Sequence, residues 1–290
     1  MKNLKIIVLA KQVPDTRSVG KDAMTPEGTV NRAALPAIFN PDDLCALEQA
    51  LRLKESNEGS TVKIITMGPP RAAEIVREGL YRGADGGYLL TDRAFAGADT
   101  LATSYALSKA VAYAGDFDII LCGRQAIDGD TAQVGPQVAQ KLGLPQVTCT
   151  EEILSVEEGK ITVRRRIDGG AETVVAPMPV LLTVDGSAAQ CRQRNAKAVQ
   201  KYKRACGASE VTPDMPYREL LESRPYLNIP ELNVAKVGGD TVCCGLSGSP
   251  TKVKAVENIV FAAKESLSLT SSDADVERLI DELVSNHTIG

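Results

Sequence analysis

Residues 123–137, GRQAIDGDTAQVGPQ, bring an arginine, two aspartates, a threonine and three glycines into one short segment. Arg124 and Thr131 are donors for an anion. Asp128 and Asp130 would repel a diphosphate, so they suit ribose hydroxyls or the cap of a helix. A helix starting near Asp130 would aim its free amides and positive dipole end at a phosphate, and Gly129 marks a backbone angle or close approach closed to a side chain. The same spacing also describes a plain turn with an Asp N-cap. His287, close to the C-terminus, is the only histidine, which excludes an HExxH zinc site and argues against Ser-His or Cys-His catalysis. No catalytic side chain and no metal ligand set is expected, and a borrowed cofactor would carry the chemistry.

The positioning elements follow from periodicity. Apolar runs at 5–10, 62–67, 87–90 and 118–122 alternate with helical stretches at 42–54, 72–82, 99–113 and 131–142, which predicts a parallel sheet wound with helices. Gly83, Gly115 and Gly143 stand where helix C-caps belong. After Pro145 the pattern becomes an antiparallel meander (147–156, 160–167, 172–176), its turns at 157–159 and 168–170, and 179–184 returns as a strand that rejoins the sheet. Residues 185–249 are expected to hug the surface. Within them, 192–204 carry six basic residues and no acidic one, which fits either an acidic partner face or a solvated helix. Residues 272–285 form an amphipathic helix capped by Ser272, whose stripe of Val276, Leu279, Ile280, Leu283 and Val284 must dock on something.

In an open parallel sheet, ligands sit at the carboxyl ends of the strands, so the loops after Ala10, Met67 and Cys122 should meet in one crevice. Composition is compatible with this. The 290 residues are 43% hydrophobic and 24% charged, with a net charge of -4, so nucleic acid is a poor partner. The apolar run at 6–10 is too short for a membrane span, and seven cysteines without a CxxC pair fit a reducing cytoplasm better than a disulfide framework.

The segment 123–137, together with NPDDLCALEQALRLKE (40–55), MGPP (67–70), FAGADTLATSYAL (95–107), VRRRIDGGAETV (163–174) and GLSGSPTKV (245–253), resembles the small (β) subunit of electron-transfer flavoproteins. The resemblance implies a doubly wound, mostly parallel α/β sheet of the Rossmann-like, adenine-nucleotide-binding kind, with an added antiparallel hairpin and an extended C-terminal arm. It further implies a nucleotide-binding domain over 1–235 and an arm over 236–290 that docks on a large (α) subunit in a heterodimer. Contacts to the nucleotide would come from Leu9, Ala10, Asn40, Pro41, Asp42, Asp43, Thr66, Met67, Gly68, Gly123, Arg124, Gln125, Ala126, Ile127, Asp128, Gly129, Asp130, Thr131, Ala132, Gln133 and Val134. The AMP-holding branch usually reads DDDCNQTG where this chain reads DGDTAQVG, and the latter is similar to the branch that holds a second FAD, takes electrons from NADH and bifurcates them. FAD, with AMP as the alternative, is therefore the implied cofactor, and an acyl-CoA dehydrogenase or similar redox protein the implied partner. The Glu-Pro-Arg-Tyr stretch common in the dehydrogenase-recognition region is absent from 187–204, which leaves that partner's identity open. An ATP-consuming ligase would need a glycine- and serine-rich loop after the first strand, and residues 11–18 offer none.

Overall fold

The structure is a computed structural model that describes residues 3–15, 36–251 and 268–289. Its first strand, β1 (Lys5–Leu9), is followed by a short antiparallel pair, β2 (Gln12–Pro14) and β3 (Ala37–Phe39), and then by α1 (Pro41–Ser56). The α1 helix begins as its sequence dictates: Pro41 needs no amide partner in the first turn, while Asp42, Asp43 and Lys54 complement the two ends of the dipole. Next come β4 (Thr61–Met67), α2 (Ala73–Arg82), β5 (Gly86–Leu90), α3 (Thr100–Ala114), β6 (Ile119–Gly123) and α4 (Val134–Leu142). The predicted C-caps Gly83, Gly115 and Gly143 end α2, α3 and α4.

The meander is β7 (Gln146–Glu157), β8 (Lys160–Ile167) and β9 (Gly170–Pro177), and β10 (Val180–Val184) returns between β6 and β7. The region expected to hug the surface holds α5 (Ala196–Tyr202), a two-residue pair of β11 (Cys206–Gly207) with β12 (Asn228–Ile229), α6 (Arg218–Ser223) and β13 (Glu231–Leu232). The nine-stranded sheet runs β13-β5-β4-β1-β6-β10-β7-β8-β9, parallel throughout except at the β7–β8–β9 end. Its edge strand β13 thus comes from that region. Two-residue strands have no period to read in a sequence, yet Leu227, Ile229, Leu232 and Val234 are buried.

Helices cover both faces. Ile6, Val8, Ile64, Ile119 and Leu121 pack with α1 and α2, while Ile7, Leu9, Ile65, Ile120 and Leu181 pack with α3 and α4. Strands buried on both sides explain why the sequence shows continuous apolar runs rather than alternation. The last element, α7 (Asp273–Ser285), is capped as expected, with the Ser272 Oγ accepting from the Asp275 amide, but it buries nothing. Parts of two sequence blocks, 16–18 and 252–253, and part of the expected arm lie outside the described residues. Among the described residues no helix is long and apolar enough to cross a membrane.

Candidate nucleotide-binding crevice

The chain passes from β1 to β4 on one side and returns to β6 on the other, which makes the β1/β6 boundary the switch point where loops diverge and a crevice opens. Two residues at the start of α1 tie its walls together. Asn40 is fully buried; its Nδ2 donates to the Gln125 carbonyl at 2.8 Å, its Oδ1 accepts from the Ile127 amide at 3.2 Å, and its own amide donates to the Lys11 carbonyl at 3.0 Å. Asp43, also buried, accepts from the Gly123 amide at 2.7 Å and from the Lys11 amide at 2.8 Å. Burial pushes its carboxyl up to about 7, against the pull of those two amides and of Asn40. The neighbouring Asp42 carboxyl is likewise raised, by burial before any other cause. Gly123 belongs to the same clamp, since a Cβ there would sit 2.6 Å from both the Asp42 Cβ and the Asp43 Oδ1.

Leu9 and Ala10 end β1 buried, and the Ala10 amide donates to the Ile65 carbonyl at 3.0 Å. One strand over, Thr66 is fully buried and its Oγ1 has no hydrogen-bond partner; Met67 and Gly68 follow at the rim, and the Gly68 amide donates to the Leu90 carbonyl. Leu9, Ala10, Asn40 to Asp43 and Gly123 to Ile127 thus converge, with Thr66 to Gly68 alongside. Ala126 carries the turn that follows: its carbonyl accepts from the amides of Gly129 and Asp130.

Three expectations for this loop need correction. Helix α4 starts at Val134, not near Asp130, so Thr131, Ala132 and Gln133 lengthen the loop; its N-cap is Gln133, which makes no side-chain cap bond. Neither aspartate caps it: Asp128 pairs with the Lys11 ammonium at 2.7 Å, and Asp130 accepts from the Gln125 Nε2 at 2.9 Å. Gly129 lies in open space without a positive φ; the left-handed residues are Asp130 (φ 49°) and Ala132 (φ 52°). Such angles are costly for residues with a Cβ and cluster at ligand sites. Arg124 pairs with neither loop aspartate, its Nε lying 3.5 Å from Asp185 Oδ2. Gln133 and the α4 start are steadied by α3, where the Thr100 hydroxyl donates to the Gln133 Oε1 at 2.8 Å.

The structure adds Lys11 and Asp185 to the group. Lys11 is findable in the sequence, because it closely follows β1 as Arg124 follows β6; Asp185 follows β10, whose place beside β6 the sequence does not reveal.

Four of the six basic side chains of 192–204 make contacts within the chain, three of them from exposed positions. Arg192 pairs with Glu48 at 2.9 Å and with Glu55; Arg194 hydrogen-bonds Glu78 at 3.0 Å and lies over the Tyr81 ring. Lys201 lies 4.7 Å from the Tyr202 ring centroid, and Arg204 stands over Tyr217. Arg192 and Arg194 border a cavity of about 720 Å³ with Phe39, Cys45 and Cys191, which touches Pro41, Asp42 and Ile127. The VRRRIDGG stretch is a hairpin, with Gly169 in its turn and Arg165 paired to Glu172. All seven cysteines are free, and burial pushes the Cys191 thiol up to about 11, away from redox reactivity.

The Electron transfer flavoprotein domain matches residues 27–205. Over 259 residues the chain is 44% identical to the electron transfer flavoprotein subunit beta of Megasphaera elsdenii, covering 87% of each chain. It is 41% identical over 286 residues to the electron transfer flavoprotein subunit beta of Thermoanaerobacterium thermosaccharolyticum, 99% of this chain and 100% of that one. It is 51% identical over 180 residues, 62% of this chain and 68% of the other, to the Caffeyl-CoA reductase-Etf complex subunit CarD of Acetobacterium woodii. These matches make the chain a member of the electron transfer flavoprotein family, of its β-subunit type.

Proposed function

We propose that this chain, paired with an α subunit, holds FAD in the crevice at the β1/β6 switch point and carries electrons between NADH or an acyl-CoA dehydrogenase and other acceptors by bifurcation. One observation supports the reading: the DGDTAQVG loop after β6 holds Asp130 and Ala132 at left-handed angles, and Thr66 near the end of β4 has a buried hydroxyl without a hydrogen-bond partner. An orphaned buried hydroxyl costs about 1–3 kcal/mol, a cost that a ligand's polar atom would remove. The residues fit a dinucleotide in sign as well. Arg124, Thr131 and the uncapped first turn of α4 are donors for a diphosphate, while Asp128 and Asp130 are acceptors for ribose hydroxyls. The other expected contacts are Leu9, Ala10, residues 40–43, 66–68, Gly123, residues 125–127, Gly129 and residues 132–134.

FAD, when bound, supplies hydride acceptance from NADH and one-electron exchange, in the bifurcating branch with one electron sent uphill and one downhill in potential. What the chain contributes is binding, orientation and electrostatics. Arg124, whose Nε lies 3.5 Å from Asp185, is with Lys11 a cation of the site. Replacing Arg124 with Ala lowers FAD content or NADH-dependent reduction; with both unchanged, Arg124 has no such role.

The partner surface is the arm over 236–290. Its helix α7 exposes Val276, Leu279, Ile280 and Val284, each 43–49% accessible, and the α subunit is their cover. A relative that belongs to a caffeyl-CoA reductase–Etf complex supports an acyl-CoA-linked redox partner. Free cysteines support a cytoplasmic location. To test the cofactor, the heterodimer is purified, its nucleotides are released by denaturation, and FAD and AMP are counted. Two FAD per heterodimer support the proposal; one FAD and one AMP make this a non-bifurcating subunit with a structural AMP.

A further inference from the structure

We propose that Asp43 is a positioning residue of the nucleotide site: its carboxylate touches no ligand, but by locking the loop after β1 to the loop after β6 it determines how tightly the crevice holds a nucleotide. The proposal rests on the reading of the crevice as an adenine-nucleotide site. Asp43 is buried, and both of its oxygens are spent on backbone amides, Gly123 at 2.7 Å and Lys11 at 2.8 Å. Those amides belong to the two segments that diverge at the switch point. Lys11 then carries the restraint outward, its ammonium reaching Asp128 in the middle of the long loop at 2.7 and 2.9 Å. A chain of contacts thus runs from Asp43 through Lys11 to the loop's acidic turn, and through Gly123 to Arg124, whose amide donates to the Val184 carbonyl at 2.7 Å.

Ionisation of Asp43 is what keeps both bonds. The carboxylate accepts twice; the acid turns one oxygen into a donor that faces an N–H, and one bond is lost. The ionisable groups packed round it are Asp42 and Cys45 on α1 and Cys122 on β6, all anionic when charged, while Arg124 and Asp185 bear on Asp42. Burial is the main reason the Asp43 carboxyl is pushed up to about 7. Nucleotide affinity is therefore highest above that pH and falls as pH drops through it. Folding has the opposite sign: a buried acid raised from 3.8 to about 7 contributes its stability below 3.8 and loses it as pH rises through about 7. A merely structural Asp43 would produce only the second trend.

The test measures binding of FAD and of AMP to the nucleotide-stripped heterodimer between pH 5.5 and 8.5, for wild type and Asp43→Asn. Wild type is expected to weaken as pH falls through about 7 and to level off about tenfold weaker, as one bond is lost. The Asp43→Asn variant is expected to be about tenfold weaker at pH 8, from the loss of one charge-assisted bond, and flat with pH for FAD, whose diphosphate does not titrate in this range. Equal affinity and an equal pH slope in the two proteins overturn the proposal. If neither nucleotide binds wild type at any pH, it is the reading of the site that fails, and the clamp is judged separately by amide exchange in wild type. There, the protection factors of the Lys11 and Gly123 amides fall relative to that of Val8 between pH 8 and 6; unchanged protection contradicts the clamp, and this readout also serves if Asp43→Asn does not fold.

Discussion

The crevice and the C-terminal helix are finished to different degrees. Around Asn40, Asp43 and Gly123 the backbone groups of two loops are satisfied by buried side chains of the same chain, so the site's shape is fixed before any ligand arrives. Helix α7 has its cap and its apolar stripe but no described surface to lie on. A cofactor site has to be preorganised, because every loop ordered in advance is an entropy cost that binding avoids. A subunit interface can leave half of its core exposed until the other half comes.

The largest effect should come from the unfinished region. Replacing Leu279 and Ile280 together by Asp, or ending the chain near Thr270, should weaken association with the α subunit by at least about a hundredfold, since two apolar anchors at an interface core contribute several kcal/mol. The isolated chain should keep its melting temperature, because α7 buries no residue. A heterodimer of unchanged affinity would move the docking surface elsewhere.

In the finished region the order is reversed, and stability falls before assembly does. Gly123→Ala places a methyl against the Asp42 and Asp43 side chains and should cost about 2–3 kcal/mol in urea unfolding. Asn40→Ala orphans the Gln125 carbonyl and the Ile127 amide and should cost about 2 kcal/mol, with loss of bound nucleotide. Neither change should alter affinity of the folded chain for the α subunit; if either does, the two regions are coupled.

A smaller effect separates the basic segment from both. Arg192 holds Glu55 below the ordinary carboxylate range through its hydrogen bond, and it does the same to Glu48 against the upward push of burial. Carboxylates lowered in this way contribute stability that is present above their ordinary value of 4.5 and lost as pH falls through the lowered one. Arg192→Ala should therefore cost about 1 kcal/mol at neutral pH, for a half-exposed pair network, and progressively less in acid below the carboxylate range, as urea titrations under the two conditions would measure.

The sheet, its flanking helices and the meander are readable in the sequence because each depends on local period: continuous apolar strands, Gly C-caps, turn glycines. That the loops after β1, β4 and β6 share one edge of the sheet is readable too, since parallel strands present their carboxyl ends on the same side. What escapes is long-range. That Asn40 bonds the 125–127 backbone, that Lys11 reaches Asp128, or that Arg124 faces Asp185 follows from the order of strands, which spacing does not encode. The loop at 124–133 misleads in detail because glycine is the usual marker of a left-handed turn, and here Asp130 and Ala132 take those angles while Gly129 does not. Arg192 and Arg194 read as a free basic patch because their glutamates lie more than a hundred residues away in sequence.

The central claim is that loops of this chain alone frame the nucleotide at the β1/β6 switch point. A structure of the heterodimer carrying its nucleotides tests it most directly. The account predicts nucleotide density at the carboxyl ends of β1, β4 and β6, with the diphosphate beside residues 124–134 and the Thr66 hydroxyl paired. Density in the cavity bordered by Phe39, Cys45 and Cys191 instead, with the 124–134 loop empty, would contradict it.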